Sequence, residues 1–168
     1  MTASPLVSAA HRRAEIVIKK LAFAGPFVAR FTLGVLFAST GWGKLHSLDR
    51  VTAFFTELGI PAPAFHAVLV SCVELGGGAL ILAGLFTRLA ALPLMGTMAV
   101  AIATAQAEQV HGLPDLFGLV EWTYLVMLLW LALAGPGKLS LDQLVFGRRR
   151  ELDTKPNLPA SRLSPNTV

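Results

Sequence analysis

Four apolar stretches, at about 27–45, 64–86, 88–107 and 117–135, most constrain what this chain can become. Each is close to the ~20 residues needed to cross ~30 Å of hydrocarbon. Charged residues make up only 14% of the 168 residues, and they collect toward the two ends. A soluble domain carries about 25% charged residues to build its polar skin. The chain therefore reads as all-α: a membrane-spanning four-helix bundle in a lipid bilayer. Three parts are expected: a basic segment at 1–26, the helical domain at 27–145 and a disordered tail at 146–168.

Basic residues set the expected orientation. Arg12, Arg13, Lys19 and Lys20 precede the first stretch, Arg88 lies between the second and third, and Lys138, Arg148, Arg149 and Arg150 follow the fourth. The other connections carry Lys44 and Arg50 at most, beside Asp49, Glu57, Glu108 and Asp115. Positive residues stay inside, so both termini are expected in the cytoplasm. The net charge of +4 then reads as a topology signal and not as a nucleic-acid footprint. No nucleic-acid partner is expected. The charged run from His11 to Lys20 precedes a stretch too long for the core of a cleaved signal, so none is expected.

Residues 10–24 alternate basic and apolar character and predict a short helix on the inner leaflet. Residues 47–63 predict an amphipathic helix on the outer surface between the first two spans. Val51, Phe54, Phe55 and Leu58 share one face, and Pro61 and Pro63 end the helix. The connection between the second and third spans is expected at Phe86-Thr87-Arg88, which makes those helices antiparallel neighbours. Cys72, the single cysteine, is expected to be a small buried hydrophobe.

Ionisable residues inside apolar stretches are costly and mark candidate sites. In the first stretch Arg30, Gly34, Phe37, Gly41 and Lys44 follow at intervals of four, three, four and three, which puts them on one helical stripe. The glycines would let a partner helix approach closely. The charged ends either face the bundle or snorkel to opposite interfaces. Glu74 lies about ten residues from the outer end of the second stretch, hence ~15 Å deep. Gly76, Gly77 and Gly78 follow it and open space for a backbone or a ligand. Glu74 needs a cation or a donor, or else it carries a proton; a structural hydrogen bond between helices is the plain alternative. Glu121 begins the fourth stretch. Chain topology gathers Lys44, His66, Gln106, Glu108, His111 and Glu121 into the outer half, with Lys44 paired to Glu74 or to Glu121. No metal site is expected, because no ligand spacing supports one. No nucleotide-binding glycine loop, serine-hydrolase elbow, zinc-protease helix or haem-ligand pair is present.

Several motifs in order then carry a resemblance. Arg30-Phe-Thr-Leu-Gly-Val-Leu-Phe37, Gly41-Trp-Gly-Lys-Leu45, Gly59-Ile-Pro-Ala-Pro63, the run from Glu74-Leu-Gly-Gly-Gly to Thr87-Arg-Leu-Ala90, and Gly135-Pro-Gly-Lys-Leu-Ser-Leu-Asp142 resemble the DoxX family. The resemblance covers about residues 25–145. It implies a small bacterial inner-membrane protein with four transmembrane helices. It also implies a link to quinone-dependent thiosulfate oxidation and to complexes with superoxide-detoxifying and sulfur-transfer proteins. Arg30, Gly41, Lys44, Glu74, Gly77, Arg88 and Asp142 carry over as motif positions, without catalytic roles.

Two functions stay open at this stage. In one, the chain is a subunit of a quinone-linked redox system. Lys44, Glu74 and Glu121 line a pocket, where Lys44 stabilises a quinol or a sulfur oxyanion and a carboxylate shuttles protons. A soluble partner supplies the electrons, because no intrinsic cofactor is expected. In the other, the chain is a non-catalytic scaffold or assembly factor whose polar residues lock the bundle. A small-solute transporter is the weaker third reading, since no inverted repeat is evident. Copy number is open, and an oligomer is compatible with all three.

Overall fold

The apolar stretches fold as helices that accommodate internal glycines and Pro93. The computed structural model describes residues 24–137 and 140–143, and no strand occurs among them. Helix α1 spans Ala24–Leu45, α2 Leu48–Glu57, α3 Pro63–Ala83, α4 Thr87–Ala103, α5 Leu113–Gly118 and α6 Val120–Ala134. A 3-10 turn at Ala107–Gln109 lies between α4 and α5. The expected inner-leaflet helix before residue 24 and the tail after 146 lie outside the described residues.

Only α3, with 21 residues, combines the length and composition of a membrane crossing. The expectation of four such spans is met at one of them. α1 is 22 residues long but holds Arg30 and Lys44. α4 and α6 are apolar and have 17 and 15 residues, or about 25 and 22 Å of helix. The third stretch shortens because the chain leaves the α-helix at Thr104, at φ −116° and ψ −71°, and continues into the 3-10 turn. The fourth shortens because Leu119 is extended and splits α5 from α6.

The turn between α3 and α4 is Gly84-Leu85-Phe86, with Thr87 and Arg88 already helical. Gly84 stands at φ +69°, and the amides of Gly84 and Leu85 return to the carbonyls of Ile81 and Leu80. This left-handed closure ends the helix two residues before the expected turn. A Cβ at Gly84 would lie 2.6 Å from the Arg30 guanidinium carbon, so space as well as backbone angle calls for glycine.

α1 packs most extensively on α3, and α4 on α6; α3 also meets α2 and α4, and α1 meets α6. Leu33, Phe37, Ile81, Leu94, Leu128 and Leu131 are fully buried between these helices. Phe37 meets Tyr124 edge-on at 6.1 Å. The α1–α3 contact depends on absent side chains. A Cβ at Gly34 would sit 2.7 Å from Leu82 Cβ, and one at Gly41 2.8 Å from the Ser71 carbonyl oxygen. From the other helix, a Cβ at Gly78 would fall 2.9 Å from the Phe37 carbonyl carbon. Real side chains do not fit at such separations, so the two backbones lie against each other.

α2 is the expected amphipathic helix, shorter than its 47–63 frame. Val51, Phe55 and Leu58 are half-buried on that face, while Phe54 is exposed. Cys72 corrects an expectation: it is exposed. The buried stripe of α3 runs through Ala67, Ser71, Glu74, Gly78 and Ile81, and one residue on from Ser71 turns ~100° away from it.

Candidate functional site

The inward stripe of α1 meets the inward stripe of α3 at a pair of opposite charges. Thr40 and Lys44 are one turn apart and share a face. Gly41, between them, removes the side chain that would hold α3 away. Glu74 then faces both. Lys44 Nζ donates to Glu74 Oε1 at 2.5 Å, and Thr40 Oγ1 donates to Oε2 at 3.1 Å. Thr40 Oγ1 is also 3.1 Å from the Phe37 carbonyl oxygen.

Glu74 is 2% exposed, and both its oxygens are held. The Lys44 side chain is 33% exposed. It has three N–H donors and one acceptor among the described residues. The pair is thus dry at the carboxylate and open at the ammonium. Lys44 occupies the last turn of α1, where the helix dipole favours a cation.

Glu121 goes elsewhere. Gln106 Nε2 donates to Glu121 Oε1 at 2.9 Å, and Gln109 Nε2 donates to Gln106 Oε1. The six residues that topology gathers are therefore divided. His66 Nδ1 bonds locally at 2.8 Å from the Pro61 carbonyl, at the start of its own helix. The His111 amide donates to Asp115, and Glu108 is exposed in the 3-10 turn. An apolar cleft of about 340 Å³ lies between α3 and α4, lined by Val73, Gly76, Gly77, Leu80, Leu89 and Pro93. It opens on the side of α3 away from α1, and Glu74 does not line it.

Arg30 sits at the other end of the α1 stripe and is 3% exposed, so it does not snorkel. Its guanidinium donates to the carbonyls of Ile81 at 3.1 Å, Leu82 at 3.4 Å and Pro136 at 2.7 Å. Two of these are end carbonyls of α3, and Ile81 O accepts from the Gly84 amide as well. Asp142 returns to the same corner. Its carboxylate accepts from the amides of Phe86 at 2.8 Å and Thr87 at 3.3 Å, and its own amide donates to Gly84 O at 3.0 Å. Arg88 lies over Gly135: a Cβ there, at φ +83°, would be 3.1 Å from Arg88 Nη2. Arg30, Arg88 and Asp142 thus make a structural corner, and Lys44, Glu74 and Thr40 make the charged site. Thr40 is the member that sequence reasoning missed; its position one turn before Lys44 was the available signal.

The DoxX family model matches residues 25–107, which contain both the charged site and Arg30. The Escherichia coli K12 inner membrane protein YqjF is 33% identical over 128 residues, covering 76% of this chain and 97% of the relative. The chain belongs to the DoxX family. Other relatives include CatD of Bacillus subtilis 168, provisionally named an oxidoreductase, at 32% identity over 73% of this chain and 87% of CatD. The uncharacterized membrane protein Rv3486 of Mycobacterium tuberculosis H37Rv is 34% identical over 68% of this chain and 77% of its own length. No solved structure matches. The DoxX match ends before Glu121 and Asp142, so it holds only Gln106 of the outer glutamine–glutamate contact and only Phe86 and Thr87 of the Asp142 cap.

Proposed function

We propose that this chain is a multi-pass subunit of a quinone-linked redox system, related to sulfur or oxidative stress, in the bacterial inner membrane. In this reading α1, α3, α4 and α6 form a four-helix transmembrane bundle with both termini in the cytoplasm. Exposed apolar side chains such as Leu89, Leu92 and Leu133 support a lipid-facing surface. The basic residues before α1, at Arg88 and after α6 support the orientation. The names of YqjF and Rv3486 place those relatives in membranes, and the provisional name of CatD supports redox chemistry.

The observation that carries the reading is the Lys44–Glu74 pair, dry at its acid and open at its base. The donor set fits a quinone carbonyl: an ammonium with uncommitted N–H groups stands beside a carboxylate. Quinone, when bound, takes up two electrons and two protons. Lys44 would hold and polarise a carbonyl oxygen. The Lys44 ammonium would pass a proton to that oxygen and be reprotonated through its open side. Glu74 would hold the ammonium in place, and Thr40 would keep the carboxylate aimed. The second proton would reach the other carbonyl from solvent. Electrons would come from the cofactor of a soluble redox or sulfur-transfer partner. Native purification in mild detergent, followed by mass spectrometry of retained molecules, tests this. The expected result is bound quinone that is lost in Glu74→Gln. Retention of a partner protein with no quinone in the wild type contradicts it.

The scaffold reading has its own support. Glu74, Arg30, Glu121 and Asp142 all have partners within the fold, as expected of residues that lock a structure. In that case Glu74→Gln or Lys44→Met lowers protein level or complex recovery, with no separable loss of turnover.

A further inference from the structure

We infer that Glu74 makes the Lys44 site selective for uncharged ligands bearing a carbonyl or hydroxyl oxygen, and against oxyanions. The inference rests on the reading of this pair as a ligand site and adds the class of ligand it takes.

The charge count is simple. Lys44 and Glu74 are in contact, so the site is neutral before anything enters. Thr40, the other side chain bonded to it, carries no charge. Arg30, the other cation of α1, is fourteen residues away along the helix, or about 21 Å, and it is held by carbonyls. Glu121, bonded to Gln106, adds no positive charge. An oxyanion accepting from the free N–H groups of Lys44 would therefore sit within a few ångströms of the Glu74 carboxylate. Among the described residues no second cation bonds to the pair to offset the repulsion.

An uncharged carbonyl makes the same hydrogen bond without adding charge. It need not separate the pair, because Lys44 has donors to spare and one-third of its side chain is open. Charge thus divides the two candidate substrate classes of a sulfur–quinone system. The quinone half belongs at this site, and a sulfur oxyanion belongs on the partner.

Binding of two probes to the full-length protein in mild detergent tests this: thiosulfate as the divalent oxyanion and a decyl-substituted benzoquinone as the neutral carbonyl. Equilibrium dialysis of thiosulfate against wild type, Glu74→Gln and Lys44→Met/Glu74→Gln should show a gain of at least roughly a hundredfold in Glu74→Gln alone. The gain should vanish in the double variant. Equal thiosulfate binding by wild type and Glu74→Gln overturns the inference, as does a gain that survives loss of Lys44. If Glu74→Gln does not accumulate, the wild type decides. Thiosulfate bound well below ~1 mM overturns the inference, and its absence at that level supports it. The benzoquinone reports separately. A thiosulfate gain without wild-type benzoquinone binding upholds the charge rule and overturns the quinone reading.

Discussion

Glu74 is buried and makes two bonds to α1, so its energetics depend on Lys44 and Thr40. Removing one partner of a buried pair leaves the other charge uncompensated. With Lys44 one-third exposed, Lys44→Met should destabilise the solubilised protein by about 3 kcal/mol, the low end for buried pairs. Lys44→Met/Glu74→Leu should recover much of that loss, read as thermal midpoints in a double-mutant cycle. Strict additivity of the two single changes would show that the residues are not coupled. The α1 stripe was legible from spacing alone, because a period of 3.6 residues places Arg30, Gly34, Phe37, Gly41 and Lys44 together. The partner of Lys44 was not, since spacing along one helix says nothing about which carboxylate a neighbouring helix presents. Thr40 was overlooked because a threonine in an apolar helix carries no charge to flag it, although it shares the Lys44 face. Cys72 was misplaced because its composition suggests burial while its phase on α3 points it outward.

At the scale of elements, two contacts organise the helices. The first is the bare backbone approach of α1 and α3. Gly41→Val should prevent it, because a side chain there meets the backbone at Ser71 and Leu75. Gly43→Ala, two residues on, meets nothing within 4 Å and should be tolerated. Membrane accumulation and thermal midpoint of this matched pair provide the check; equal behaviour would show that the contact does not hold the helices. The second contact is the cap that Asp142 places on α4 across the α3–α4 turn. Asp142→Ala should cost about 0.5–2 kcal/mol, the range for lost helix caps. Helix existence was legible from the apolar stretches, but helix ends were less so. The Gly84 closure, the departure from the α-helix at Thr104 and the extended Leu119 each shorten an element by a local backbone choice that apolar composition conceals.

For the molecule as a whole, the apolar exterior and the unequal distribution of basic residues make a claim about orientation. A fluorescent protein fused to the C-terminus should fluoresce, and alkaline phosphatase fused there should be inactive, because the proposed topology keeps the tail in the cytoplasm. The reverse pattern would invert the proposed topology and with it the side from which Lys44 is reached. A single chain could show that buried charges exist, but not whether they are there for turnover or for assembly, since both uses require the same satisfied hydrogen bonds. Activity at matched abundance separates them. The most direct measurement is therefore quinone reduction by membranes carrying wild type or Glu74→Gln, with both proteins quantified in the same membranes. The redox reading predicts a clear fall in reduction for Glu74→Gln at equal protein level. Unchanged reduction at equal level would contradict it.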